Sequence, residues 1–102
     1  MAYKIYIRRL AAADIDDAVT YFLKNLSAPK AAMDLLDALE EAYSQIREYP
    51  YGCPLYLSEL PLAEEIRWIT VKGYVLYYTV IGERVEICRF IHGRRDRRSI
   101  IQ

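Results

Sequence analysis

The run His92-Gly93-Arg94-Arg95-Asp96-Arg97-Arg98 puts four arginines and the chain's single histidine within seven residues. An imidazole can take or give a proton near neutral pH, and guanidinium forks clamp phosphate or carboxylate oxygens. Counted from Arg89 to Arg98, the segment carries a net charge of +4. It reads equally as a phosphate or acidic-peptide site and as a solvated tail. Arg67 and Arg89 each interrupt an otherwise apolar segment. Burying a guanidinium in a sheet is costly unless it meets a carboxylate, a phosphate or water. Each of the two therefore has a structural partner or lines an open sheet face.

Other chemistry is missing from the sequence. It has no glycine-rich phosphate loop, no zinc-ligand spacing and no nucleophile elbow, so nucleotide-cofactor enzymes, zinc modules and α/β hydrolases are set aside, and neither cofactor nor metal is expected. Cys53 and Cys88 read as free thiols. Asp14, Asp16, Asp17, Asp34, Asp37, Glu40 and Glu41 read as solvated helix faces. The ten tyrosines read mainly as core-rim residues, although phenols near arginines also stack on bases or move protons.

The elements that must position these groups follow from hydrophobic period. Tyr3 to Arg8 alternates as a strand with Tyr3, Ile5 and Ile7 on one face. From about Leu10, a stripe of Ile15, Ala18, Val19, Phe22, Leu23 and Leu26 has helical spacing. Ser27 is the expected N-cap of a second helix with Pro29 in its first turn, and Ala32, Leu35, Leu39, Ala42, Tyr43 and Ile46 form its buried stripe. Three of the four prolines fall in residues 50 to 63, the mark of an ordered connecting loop. Segments 65–72, 74–81 and 84–91 then form an antiparallel meander, separated by Lys72-Gly73 and Gly82-Glu83. On strict alternation Arg67, Ile69 and Val71 share a face, and Val85, Ile87, Arg89 and Ile91 oppose Glu86, Cys88, Phe90 and His92. The expected fold is α+β: an N-terminal strand, a helical hairpin over one sheet face, and a three-stranded meander whose other face is partly open.

Length and charge bound the function. The 102 residues make one domain, 1–102, with 54 % hydrophobic side chains, enough to form a core without metal or disulfide staples. Fourteen basic and fourteen acidic groups cancel, which argues against non-specific adhesion to nucleic acid or to anionic membrane. The charge is uneven: residues 1–60 sum to −3 and residues 61–102 to +3. The longest mostly apolar run, Tyr74 to Ile81, is far too short to span a bilayer, and the sequence opens without a basic-then-apolar leader. A cytoplasmic location and no membrane partner are expected.

Taken in order, these motifs form a recognisable series. The first helix reads Ala-x-x-Asp-Ile-x-x-Ala-x-x-Tyr, followed by an alanine- and leucine-rich second helix and Tyr49-Pro50-Tyr51-Gly52-Cys53-Pro54-Leu55. The strands read Ile66-Arg67-Trp68-Ile69-x-Val71-x-Gly73-Tyr74 and Val85-x-Ile87-x-Arg89-x-x-His92-Gly93-Arg94-Arg95-Asp96. Together, over nearly the whole chain, they resemble the RelE/ParE superfamily of toxins, which includes plasmid-stabilisation proteins. The resemblance implies the toxin of a type II toxin–antitoxin module, a growth inhibitor neutralised in a hetero-oligomeric complex by an antitoxin that wraps around it. The hairpin and sheet would offer an apolar groove to the antitoxin's amphipathic helix, and the basic end of the meander would take its acidic residues.

Within that superfamily, RelE-like members are metal-independent endoribonucleases that cut messenger RNA on the ribosome by activating the ribose 2′-hydroxyl. ParE-like members inhibit DNA gyrase. Under the nuclease reading, the resemblance makes Arg67, Arg89 and His92 catalytic. Under either reading Arg94, Arg95, Arg97 and Arg98 bind phosphate or target. Several features depart from the nuclease pattern: residues 51–66 contain no lysine or arginine, Tyr74 sits where some nucleases place an arginine, and the chain is neutral overall. These departures tilt the expectation towards gyrase inhibition, with the mRNA interferase as the alternative and an inactive interaction domain as a third.

Overall fold

A computed structural model describes residues 3–57 and 62–93. The basic run at Arg94, Arg95, Arg97 and Arg98 lies outside the described residues. The order is β1 (Lys4–Ile7), α1 (Arg9–Thr20), a π-helical turn (Tyr21–Asn25), α2 (Pro29–Glu48), β2 (Arg67–Val71), β3 (Tyr74–Ile81) and β4 (Arg84–His92). The expected α+β arrangement is what the chain adopts. The four strands form one sheet in the order β1-β4-β3-β2. β2, β3 and β4 make the antiparallel meander, and β1 adds parallel to β4 over Lys4↔Arg84 to Ile7↔Ile87.

The main core lies between the hairpin and the sheet. α2 buries the six side chains its period singles out, Ala32, Leu35, Leu39, Ala42, Tyr43 and Ile46. All but Ala32 share one core cluster with Leu76 and Tyr78 of β3, Val85, Ile87 and Phe90 of β4, and Val71 of β2. Full burial of each large apolar side chain is worth about 1.5–3 kcal/mol before chain entropy is subtracted, so this layer holds the hairpin to the sheet. The Lys72-Gly73 connection, with φ of 51° and 83°, has the two left-handed residues of a type I′ hairpin.

The first helix departs from its expected stripe. Ile15, Ala18, Val19 and Phe22 face the core, but Leu23 and Leu26 are 47 % and 49 % exposed. The cause is the wide turn, in which the Leu26 N–H donates to the Tyr21 carbonyl five residues back. The extra residue in that turn carries Leu23 and Leu26 off the core face. Ser27 does not cap α2. It takes φ 48°, a left-handed conformation that closes the first helix, and Ala28 occupies the cap position without a side-chain bond.

A second break in periodicity occurs in β4. Tyr77 pairs with Arg89 and Tyr78 with Ile87, so Cys88 is an extra residue, a β-bulge. The bulge overturns strict alternation: Phe90 joins Val85 and Ile87 in the main core, while Cys88 and Ile91 turn to the opposite face. That face is less open than expected. Ile66, Val75, Tyr77, Cys88 and Ile91 form a second cluster against Tyr56, Leu62 and Trp68, so the segment before β2 folds back across it. Among the described residues the part left uncovered is the β1 side, where Tyr6 is 51 % exposed.

Candidate functional site

Arg67 is the first residue of β2, on the helix side of the sheet, paired with Tyr78. Its Nη1 donates to the carbonyls of Cys53 at 2.7 Å and Tyr51 at 3.4 Å, and its guanidinium lies 5.2 Å from the centre of the Tyr51 ring. Tyr78, wholly buried, donates its hydroxyl to the Pro50 carbonyl at 2.7 Å. Burial, followed by the neighbouring Cys53 side chain, pushes the Tyr78 phenol well above its ordinary value, so it stays a donor. Two sheet side chains thus take the carbonyls of residues 50, 51 and 53 and fix the first part of the proline-rich segment. Among the described residues the partners of Arg67 are neutral carbonyls, which hold its charge in place without cancelling it.

Arg89 is held differently. Its Nε and Nη2 donate to the Asp14 carboxylate at 2.7 and 2.9 Å, and the Phe90 N–H donates to the same carboxylate at 3.0 Å. The two side chains are 18 % and 11 % exposed. The geometry follows from topology: β1 pairs with β4 only as far as Ile7↔Ile87, so the edge of β4 beyond that point needs another acceptor, and α1 supplies one. Asp14 is therefore a clamp between helix and strand, not the solvated helix residue its position suggests. The pairing holds the Arg89 guanidinium above its ordinary pKa, through the Asp14 hydrogen bond first.

His92 ends β4 opposite Tyr74 and is exposed. Its ring centre lies 5.4 Å from that of Tyr74, nearly perpendicular to it, and Tyr74 stacks on Phe90 at 4.8 Å. Burial, then nearby Tyr21, pushes the Tyr74 phenol up, so it stays protonated at neutral pH. The Gly93 N–H donates to the Gly73 carbonyl at 3.0 Å. A β-carbon at Gly93 would come within 3.3 Å of that oxygen, and glycine permits this close approach of the two turns.

The three side chains do not converge. Arg67 and His92 stand two strands apart and four β3 residues apart in register, a separation on the order of 15 Å. Arg89 points to the α1 edge. The hollow that Arg89 does line, about 270 Å³, also contains Arg8, Arg9, Glu64 and Cys88. There Arg8 is bidentate to Glu64 at 2.9 and 3.2 Å and donates to Glu86 at 2.8 Å, and Glu86 also accepts from Arg84 at 2.7 Å. Arg84 first and Arg8 second hold the Glu86 carboxyl below its ordinary range. This network cancels most of the charge that would draw a phosphate into the hollow. Burial pushes the Cys88 thiol up to about 11, leaving it a poor nucleophile.

Sequence reasoning missed Asp14, Glu64, Glu86 and Tyr78. Their partners Arg8, Arg89 and Pro50 lie between 28 and 78 residues away, and only Arg84, which also bonds Glu86, lies close, two residues along the strand. Among the described residues no group of three or more His, Cys, Asp or Glu side chains could hold a metal ion, and no helix is long and apolar enough to cross a membrane.

Comparison with known proteins adds a family to this geometry. A family model described as the ParE toxin of the type II toxin–antitoxin system parDE matches residues 5–97. No curated protein matches the chain. Among solved structures, one titled "Chromosomal ParDE TA system from P. aeruginosa" superposes with a TM-score of 0.70, at 20 % identity, over 89 % of this chain and 96 % of the other. At that identity the likeness speaks for the fold.

Proposed function

The chain belongs to the ParE toxin family of type II toxin–antitoxin systems, and from that premise we propose that it arrests growth in the cytoplasm by binding DNA gyrase, without cutting RNA. The observation that carries this reading is the dispersal of Arg67, Arg89 and His92. In-line attack by a ribose hydroxyl on a phosphate needs an acid–base group and cations within a few ångströms of one reacting centre. Here Arg89 is occupied by Asp14, and Arg67 and His92 lie at opposite ends of the meander. A protein target needs no such convergence. The four arginines Arg94, Arg95, Arg97 and Arg98 supply charge for target or phosphate contact.

Neutralisation fits the helical hairpin. Leu23, Leu26, Met33 and Leu36 are 47, 49, 58 and 37 % exposed around its tip. An amphipathic helix of a cognate antitoxin would cover them, giving a toxin–antitoxin hetero-oligomer. The wide turn that rotates Leu23 and Leu26 outward supports this use.

The experiment compares supercoiling by purified gyrase with primer extension on messages from induced cells. Loss of supercoiling without new message ends is expected. In-codon cuts abolished by His92→Ala or Arg67→Ala would establish the ribosome-dependent mRNA endonuclease instead, and unaltered growth with folded protein would leave an inactive interaction domain.

A further inference from the structure

A second apolar surface lies past the C-terminal end of α2. Tyr49, Tyr51, Leu55 and Leu57 are 66, 58, 38 and 87 % exposed. They show on the order of 400–500 Å² of mostly apolar surface, the scale of the largest patch on an ordinary monomer, where such patches are often functional. The backbone beneath them is fixed. Besides the carbonyls of Pro50, Tyr51 and Cys53 held by Tyr78 and Arg67, the Trp68 N–H donates to the Pro54 carbonyl at 3.2 Å and the Tyr56 N–H to the Ile66 carbonyl at 2.6 Å. Leu55 bridges Arg67 and shares its side of the sheet, whereas Tyr56 turns to the opposite cluster. A loop already ordered loses little entropy when a partner docks.

Arg67 lies against this surface, its guanidinium 5.2 Å from the Tyr51 ring centre and its backbone bridged to Leu55. Its hydrogen-bond acceptors are carbonyls, and among the described residues no carboxylate forms an ion pair with it. Exposed tyrosines around an arginine are the side chains that dominate protein interfaces. A cation without a carboxylate partner among the described residues, set beside apolar groups, complements a carboxylate set beside apolar groups.

We infer that the Tyr49–Leu57 loop docks a segment of the toxin's protein target in which a carboxylate, bound by Arg67, is flanked by apolar side chains. The inference rests on the reading that the toxin acts by binding a protein. Leu36 at the hairpin tip and Tyr49 are thirteen residues apart along α2, about 20 Å, so the two surfaces can be altered independently.

The test uses the full chain carrying Leu57→Asp, Tyr49→Asp or Leu57→Lys, induced without antitoxin and scored by colony formation, with thermal unfolding and co-purification with the cognate antitoxin as controls. The two aspartate variants are expected to raise colony counts at least tenfold, Leu57→Lys to raise them by clearly less than Leu57→Asp, and all three to co-purify with antitoxin at the parent's stoichiometry. An aspartate variant that melts well below the parent is replaced by Tyr49→Ser, with the same expectation of raised counts. Arrest undiminished in the aspartate variants, equal loss in Leu57→Lys, or loss of antitoxin co-purification would overturn the inference. A parent chain that arrests growth without inhibiting gyrase defeats the gyrase reading alone, because the loop is scored on colonies. A parent chain that leaves colonies intact defeats both.

Discussion

One carboxylate, that of Asp14 in α1, receives both the Arg89 guanidinium and the Phe90 backbone N–H across 75 and 76 residues of sequence. Breaking a mostly buried pair strands the surviving charge, at about 3–5 kcal/mol. Asp14→Ala is therefore expected to destabilise the domain by about that amount in urea unfolding. Pairing it with Arg89→Met should recover much of the loss. Equal, additive losses in the double-mutant cycle would show that the two side chains do not interact.

Tyr78→Phe removes one hydroxyl and leaves the Pro50 carbonyl without its donor in a buried place. The expected loss is about 1–3 kcal/mol, with faster proteolytic cleavage near residues 50–57 than elsewhere. Unchanged cleavage there would mean that Arg67 alone holds the loop.

Acid should weaken the fold through Glu86. Its folded-state pKa lies below the ordinary 4.5 because Arg84 and Arg8 favour the charged form. The unfolded chain therefore binds more protons between the two values. The contribution is complete above about pH 4.5 and disappears as pH falls through the lower, folded value. Glu86→Gln should flatten that part of the stability–pH curve while leaving the neutral region parallel to the parent, as read by urea midpoints across pH 3–7.

Lys72 holds φ 51° in the β2–β3 turn, where asparagine is the better-suited residue. Lys72→Asn is expected to stabilise by about 0.5–1 kcal/mol and raise the melting temperature by a few degrees. Gly73→Ala, at φ 83° with open space around its β-carbon, should do the reverse through backbone strain alone.

Leu26→Asp on the exposed hairpin tip should leave the melting temperature within a degree or two while weakening co-purification with the cognate antitoxin. Full retention would move antitoxin docking elsewhere on the molecule.

Legibility in the sequence tracks the range of the interaction. The α2 stripe was readable because a helix of regular period repeats one local rule, and the meander because its turns carry glycine where left-handed φ is required. The π-helical turn at Tyr21 and the bulge at Cys88 each insert one residue without a residue-type marker, so the faces of Leu23, Leu26 and Phe90 could not be read from spacing. The arginines were conspicuous, but their partners were not. Asp14 looks like any acidic residue early in a helix until β4 is brought to its side, and the carbonyls that hold Arg67 leave no trace in a sequence at all.

The parallel pairing of β1 with β4 joins the first to the last strand of the described residues. During synthesis, the opening strand waits unmatched until the final hairpin has emerged from the ribosome. The hairpin's apolar stripes likewise wait for a sheet that does not yet exist. The fold therefore closes only near the end of translation, once the residues up to His92 have emerged.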